Sequence, residues 1–453
     1  MSRLVSSPFP RSLEDALSRR DFLWLMGVAG SALLLPLSGC AVDPVTGQKT
    51  LVGMSEDQEK SLDKSQSPSQ FSSDLGAVQD AGLNGYMQDV GTTLWSKSHR
   101  PQMPYSARVL NANYVNAYTF PGGSMGVTRG IMLEMQNEDE LAALMGHEIG
   151  HVNARHAAER AGKEMLTNVA LVVANVAIAS SENGQQYLPL LQPLSQIGAS
   201  ALLAKYSRDN EREADSLGMD YMVAGDYNPD GMVGLMNMLR GEAQQKPSLL
   251  ETMFASHPMR EERYQTARRT AEQKYTSQRG RPPKRERYLD NTAGLRRLQP
   301  TVEACQKGEA LMAKKELPQA EGQFGLALRH TPSDYAANVL MAKALMAQKK
   351  SQEADSYLAT AKSIYPGEAQ AVHLSGLAKL ALRQPEAALA EFHAYDKLLP
   401  GNPTTQFFMG AASENMGRKR DAANFYYRYL QSGAQGGEAQ FAVARLKDWK
   451  VIK

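Results

Sequence analysis

The chain is poor in cysteine, in aromatic residues and in long apolar runs, and each shortage excludes something. Only two cysteines, Cys40 and Cys305, occur in 453 residues, so no disulfide framework can staple the chain and its folding must rest on ordinary apolar burial. Aromatic residues make up 7%, and none interleaves the basic stretches in the way a nucleic-acid surface needs. Neither sign of charge dominates: 50 lysines and arginines against 48 acidic residues leave a net +2, which removes any overall pull towards polyanions. No apolar run reaches the ~20 residues that span a bilayer. Phe22 to Leu37 is interrupted by Gly27, Gly30 and Pro36, and Met165 to Ser180 by Asn168 and Asn175. The second run reads as a buried helix packed on the helix predicted from Asn137 to Gly162. The polar loop Ser181 to Gln186, with Tyr187 to Gln196 after it, reads as a candidate cover for the cleft.

What is present describes a globular protein, with 42% hydrophobic and 22% charged residues, too long for a single ordinary core. The first forty residues are an address. Ser18-Arg19-Arg20-Asp21-Phe22-Leu23 followed by the apolar run reads as a twin-arginine export signal. Leu37-Ser38-Gly39-Cys40 resembles a lipobox, which predicts cleavage before Cys40, acylation of that cysteine and a lipid anchor in the periplasm. Ala41 resembles the residue that follows the cysteine in lipoproteins sent to the inner face of the outer membrane. Cys305 is then alone and reads as a small packed residue. Residues 40–67 read as a polar, lipid-anchored tether with a first turn of structure.

The chemistry concentrates at Gly146-His147-Glu148-Ile149-Gly150-His151. On a helix, His147 and His151 lie one turn apart on one face and can both reach a single metal ion, while Glu148 lies about 100° round the helix, beside it. Three protein ligands and one water are the catalytic form of a zinc site, and the ion brings the water's pKa down towards about 7. A neighbouring carboxylate can then act as general base, the role expected of Glu148. Asn137 with Glu140 predicts the helix start and Gly162 its stop. A second helical segment carries Glu211 and Asp215 four residues apart on one face. That spacing suits Glu211 as a ligand and Asp215 as the hydrogen-bond partner that orients a ligand histidine. Glu213, the rival ligand, points about 200° away from Glu211, and His156 falls about 140° off the metal face, so His156 reads as packing or capping.

The H-E-x-x-H motif followed by Glu-x-x-x-Asp resembles a gluzincin. His147 to His156, with Ser207-Arg208 through Asp215, resembles the peptidase family of HtpX and the CAAX prenyl endopeptidase, and within it the BepA-like periplasmic members that carry tetratricopeptide repeats. The resemblance covers nearly all of the chain after the export signal. It implies one zinc ion per chain and a mainly α fold: a metallopeptidase domain of helices with a small β-sheet, followed by an all-α repeat solenoid. Asn116-Ala117-Tyr118, Pro121-Gly122-Gly123 and Gly126 to Gly130 resemble the family's strand and turn ahead of the active-site helix, where an extended peptide would bind by main-chain hydrogen bonds. Membrane-spanning helices, which the family has elsewhere around the catalytic part, are missing. The resemblance also places His257, in Ser256-His257-Pro258, near the cleft. Three roles stand open for it: donor to an oxyanion, fourth ligand that displaces the water, or structural histidine.

Around Arg279 to Arg287 the chain turns basic, with Gly280, Pro282 and Pro283, and 279–300 reads as a solvated linker between a peptidase domain at 68–278 and a repeat domain at 301–453. Pro332, Pro366 and Pro400 are spaced by the tetratricopeptide period of about 34 residues. The same register relates Gly308, Ala342, Gly376 and Gly410, then Ala320, Ala354, Ala388 and Ala422, then Phe324, Leu358, Phe392 and Tyr426. Small residues should let paired helices approach, the larger ones fill the gap between pairs, and proline end each second helix. Glu438 to Trp449 should cap the stack. The expected whole is a periplasmic zinc endopeptidase, and the resemblance to BepA-like members implies that it cleaves misfolded or stalled outer-membrane proteins, its repeats recruiting clients or the barrel assembly machinery. The alternative is a chaperone or binding module with a vestigial or self-inhibited metal site.

Overall fold

The structure, a computed structural model, describes residues 40–163, 206–245, 253–258 and 261–452. The export signal, the apolar run at 165–180 and the candidate cover at 181–196 lie outside the described residues.

A short hairpin, β1 (Cys40–Val42) and β2 (Lys49–Leu51), leads into α1 (Glu56–Ser73), whose N-cap Ser55 forms a capping box with Gln58. This stretch is no tether. Glu59 is 1% exposed and accepts hydrogen bonds from both Arg100 and Arg155, while Val52 and Met54 pack on Ala157 and Ala158. The helix predicted over Asp74 to Ser98 is confined to α2 (Ala81–Trp95). Asp74 instead closes α1, Leu75 turns the chain with a left-handed φ of 68°, and Asp80 caps α2 by accepting from the Leu83 amide.

Strands β3 (Ser106–Leu110), β4 (Ala117–Thr119) and β5 (Ser124–Thr128) form a sheet of order β3-β5-β4. β3 runs parallel and β4 antiparallel to β5. β4 is thus an edge strand, and it packs on the active-site helix. Thr128 caps the short α3 (Arg129–Glu134), and Asn137 caps α4 (Glu138–Asn153) by accepting from the Glu140 amide. Three acidic residues occupy the first turn of α4, where the helix dipole favours them. α4 is buried along its whole length, and packed on it are α5 (Arg208–Ala224) and α6 (Asp230–Gln245). After these come α7 (Glu261–Gln273) and α8 (Arg285–Arg297).

The stretch expected as a solvated linker is also built into the peptidase part. In α8, Tyr288 is fully buried and donates to the Met132 carbonyl. Its cations are engaged: Arg279 with Asp230, Arg281 with Asp226, Arg287 with Glu138, and Lys284 over the Tyr227 ring.

Helix pairs then repeat: α9 (Gln299–Ala313) with α10 (Leu317–His330), α11 (Tyr335–Ala347) with α12 (Ser351–Ile364), α13 (Ala369–Ala381) with α14 (Pro385–Leu398), and α15 (Pro403–Asn415) with α16 (Lys419–Gln431). α17 (Gly437–Asp448) closes the stack by burying Ala442 and Leu446. The fold class is the expected one, with one refinement. A Cβ on Gly308 or Gly376 would lie 2.4 or 2.5 Å from the ring of Phe324 or Phe392, so the aromatic fills its own pair rather than the gap between pairs.

The repeats are docked on the peptidase part through buried polar groups. Arg129, 1% exposed, pairs with Asp334 at 2.7 Å and donates to Asn113, whose carbonyl accepts from Gln306. Leu75 enters the apolar cluster of the first repeats. Cys305 is fully buried and its thiol is pushed up by that burial, in keeping with a packed residue. Among the described residues no helix is long and apolar enough to cross a membrane.

Candidate metal centre

The packing of α4 against α5 builds the site. A Cβ on Gly146 would lie 2.8 Å from the Gly218 carbonyl oxygen, and one on Gly150 would lie 2.9 Å from Ala214 backbone. The two glycines that frame His147 and His151 therefore let α5 approach backbone to backbone. That approach brings Glu211 from the first turn of α5 against both histidines. Ser207 fixes where α5 starts through a capping box with Asn210.

Four donor atoms converge. His147 Nε2 and His151 Nε2 are 3.1 Å apart, His257 Nδ1 is 3.3 Å from His147 Nε2, and Glu211 Oε1 is 3.1 Å from His257 Nδ1 and 3.5 Å from His151 Nε2. Donors placed tetrahedrally at zinc bond lengths of ~2.0–2.1 Å stand roughly 3.3 Å from one another. His147, His151, Glu211 and His257 thus form a buried group able to hold one metal ion. Glu148 does not contribute to it. Its Oε1 is buried with no hydrogen-bond partner and lies 3.7 Å from His257 Nε2, a carboxylate held beside the donors with an uncommitted oxygen. The donor set and that orphaned oxygen fit a zinc centre with an adjacent base.

The electrostatics differ among the donors. Burial holds His151 well below its ordinary pKa, so it is a neutral lone-pair donor. Burial by itself would raise the Glu211 carboxyl, but hydrogen bonds with His151 and His257 outweigh it and leave the group far below the usual carboxylate range. Burial would lower His257, yet the charges of Glu148 and Glu211 raise it.

Around the four donors stand supporting groups, some expected and some not. Asp215 Oδ1 lies 2.9 Å from His147 Nδ1. Arg263 is unanticipated. It grips both oxygens of Asp215 at 2.7 Å and sets Nη1 2.7 Å from Glu211 Oε2, which leaves Oε1 facing the histidines. Burial would raise the Asp215 carboxyl, but Arg263 reverses this and keeps it ionised. Tyr206 stacks on the His151 ring at 3.9 Å between centroids.

His156 corrects the helical projection. Its Nδ1 lies 2.8 Å from His151 Nδ1, because α4 ends at Asn153 and Arg155 takes a left-handed φ of 56°, so a continuous helix to Gly162 does not describe the chain. Glu213 stays out of the donor group, as expected, and pairs with His156 Nε2 at 3.2 Å. Beside Glu211, a cleft of about 250 Å³ is lined by Tyr206, Arg208, Pro258 and Arg263.

A helix bearing H-E-x-x-H, a second helix crossing it with a carboxylate and an edge strand packed on the first form the arrangement expected of a metallopeptidase domain. Residues 82–271 match the model of Peptidase family M48. The chain is 30% identical over 204 residues to the putative beta-barrel assembly-enhancing protease of Vibrio cholerae serotype O1, covering 43% of this chain and 40% of that one. It is 34% identical over 165 residues to the metalloprotease YcaL of Escherichia coli K12, covering 36% and 61%. To the metalloprotease LoiP of the same strain it is 29% identical over 167 residues, covering 36% and 62%. The chain therefore spans less than two thirds of the length of each of these relatives.

Proposed function

We propose that the chain is a zinc-dependent endopeptidase in which His147, His151 and Glu211 bind the ion and Glu148 is the general base. The observation that carries this is the convergence of the four donor atoms within 4.8 Å of one another, with the Glu148 carboxylate beside them. A zinc ion there supplies an acidified water and polarises a scissile carbonyl. Glu148 takes the proton from the attacking water and returns it to the leaving amine. Asp215, held by Arg263, fixes the ring of His147. The edge strand β4 offers main-chain groups to an extended substrate, so recognition would be largely independent of side chains.

The fourth position is the point of control. An ion held there with His257 Nδ1 among its donors would have four protein ligands, the closed form, whereas catalysis needs one position open to water. We assign His257 as a resting-state ligand that must withdraw, and this supports the second reading, a client-binding protein whose protease is self-inhibited. Hydrolysis of an unfolded protein separates the readings from a vestigial site. Wild type should cleave it and Glu148→Gln should not, while retaining zinc; equal activity of the two proteins would reject the assignment of the base.

Address and clients follow from the twin-arginine and lipobox sequences and from the name carried by the Vibrio relative. The mature chain would be acylated at Cys40 and face the periplasm from the outer membrane. Its clients would be outer-membrane barrel proteins that are misfolded or stalled, with the repeats recruiting them or the assembly machinery. Cys40→Ala should lose membrane fractionation; a variant that still sediments with membranes would reject the lipid anchor.

A further inference from the structure

The two histidines of the H-E-x-x-H motif are held from behind by different groups. His147 Nδ1 faces the Asp215 carboxylate at 2.9 Å. His151 Nδ1 faces another imidazole, His156 Nδ1, at 2.8 Å, and the far nitrogen of His156 reaches Glu213 Oε2 at 3.2 Å. His156 is 1% exposed and the Glu213 side chain 35%. The line therefore runs from the buried donor group to the surface.

We infer that His156, backed by Glu213, is a positioning residue that fixes the tautomer and ring orientation of His151 for metal binding. This rests on the reading of His151 as a ligand. A ligating Nε2 is unprotonated, so the single proton of neutral His151 sits on Nδ1 and is donated to His156 Nδ1. His156 then carries its own proton on Nε2 and donates it to Glu213. Each proton in the line has one donor and one acceptor. A ligand histidine almost always donates its second nitrogen to a fixed acceptor, and losing such a partner weakens metal binding by roughly 10–100-fold.

The backbone is built to present this acceptor. Five residues beyond His151 on a straight helix would face about 140° away. The left-handed Arg155 breaks the helix and turns His156 back towards His151. The turn is clamped from the amino-terminal segment: Arg155 donates Nε to Glu59 and Nη2 to the Met54 carbonyl, and Glu59 also accepts from Arg100. On its other side Glu159 accepts from Asn210 on α5, the helix that carries Glu213. His156 is thus held from two directions by contacts that do not involve the metal ligands.

Zinc affinity of the full-length mature chain, measured by chelator competition, tests the inference together with thermal unfolding of the metal-free proteins. His156→Leu should bind zinc about 10–100-fold more weakly while unfolding metal-free at the wild-type temperature. His156→Asn should recover most of the loss, because its Oδ1 can accept from His151 where Nδ1 did. The d–d absorption of the cobalt-substituted protein should shift in the Leu variant and return in the Asn variant. Affinity of His156→Leu within about threefold of wild type, or an Asn variant no better than Leu, overturns the inference. Should the Leu variant not fold, Glu213→Ala carries the test: a several-fold loss supports the line and unchanged affinity rejects it. If wild type itself binds no zinc, the proposed metal site fails, which is a different result from a zinc-binding wild type indifferent to His156.

Discussion

His257 Nδ1 stands 3.3 Å from His147 Nε2 although 110 residues separate the two in the chain. The contact is made by the short helical turn at 253–256, whose Met253 enters the peptidase core and whose Ser256 carbonyl accepts from the Tyr206 amide. His257 is thus carried on a short helical turn outside the two helices that supply the other three donors. An element of that kind can move without unfolding the domain.

His257→Ala should therefore keep its zinc and cleave an unfolded protein faster than wild type, because three ligands and an open position remain. A donor to the oxyanion would behave in the opposite way and cost about 10²–10³ in turnover. A fall of that size would overturn the resting-ligand assignment.

Metal analysis should divide the remaining site residues into two groups. His147→Ala, His151→Ala and Glu211→Ala should purify without stoichiometric zinc, whereas Glu148→Gln should contain one ion per chain. Asp215→Asn should bind zinc roughly 10–100-fold more weakly, since the amide no longer offers His147 a charged acceptor. Full zinc in Glu211→Ala would move the ligand role to another carboxylate.

Much of this site could be read from the sequence because its parts are local. One helical turn separates His147 from His151 and another separates Glu211 from Asp215, and regular helices with clear caps turn such spacings into geometry. His156 was illegible for the same reason, since the projection assumes a helix that Arg155 interrupts. Arg263 lies 48 residues from Asp215 and nothing near it announces the partner. The segment 40–67 reads as a tether because much of its burial is polar: Glu59 is covered by two arginines and Asp63 accepts from the Ser124 amide, leaving too little apolar periodicity to detect. The repeats were legible because their period recurs over four pairs, whereas the docking of those pairs on the peptidase part depends on contacts such as Arg129 with Asp334, between residues distant in the chain.

That ion pair makes its own prediction. Asp334 is 5% exposed and also caps α11 by accepting from the Ala337 amide. Asp334→Ala should destabilise the protein by about 3–5 kcal/mol, because removing one partner strands the buried Arg129 charge. In an Arg129→Met background the same substitution should cost clearly less. Equal costs in both backgrounds, measured by chemical denaturation, would show that the pair is not coupled.

The last prediction concerns pH and the third repeat. His373 lies among the rings of Phe392, Tyr395 and Phe408, its Nδ1 has no hydrogen-bond partner, and burial lowers its pKa to about 4. An unfolded histidine titrates near 6.5. Above that value both states are neutral and the residue contributes no slope. As pH falls from 6.5 towards 4 the unfolded chain takes a proton that the folded repeat refuses, so stability declines through that window and the decline stops below it. Other groups add their own pH dependence, among them the buried carboxyls of Asp74 and Glu309, which burial raises, so the informative quantity is the difference between two proteins. His373→Leu should lose less stability than wild type between pH 6.5 and 4, with the curves parallel above pH 7. Curves parallel throughout would mean that the folded repeat admits the proton, and His373 would then be an ordinary solvated histidine.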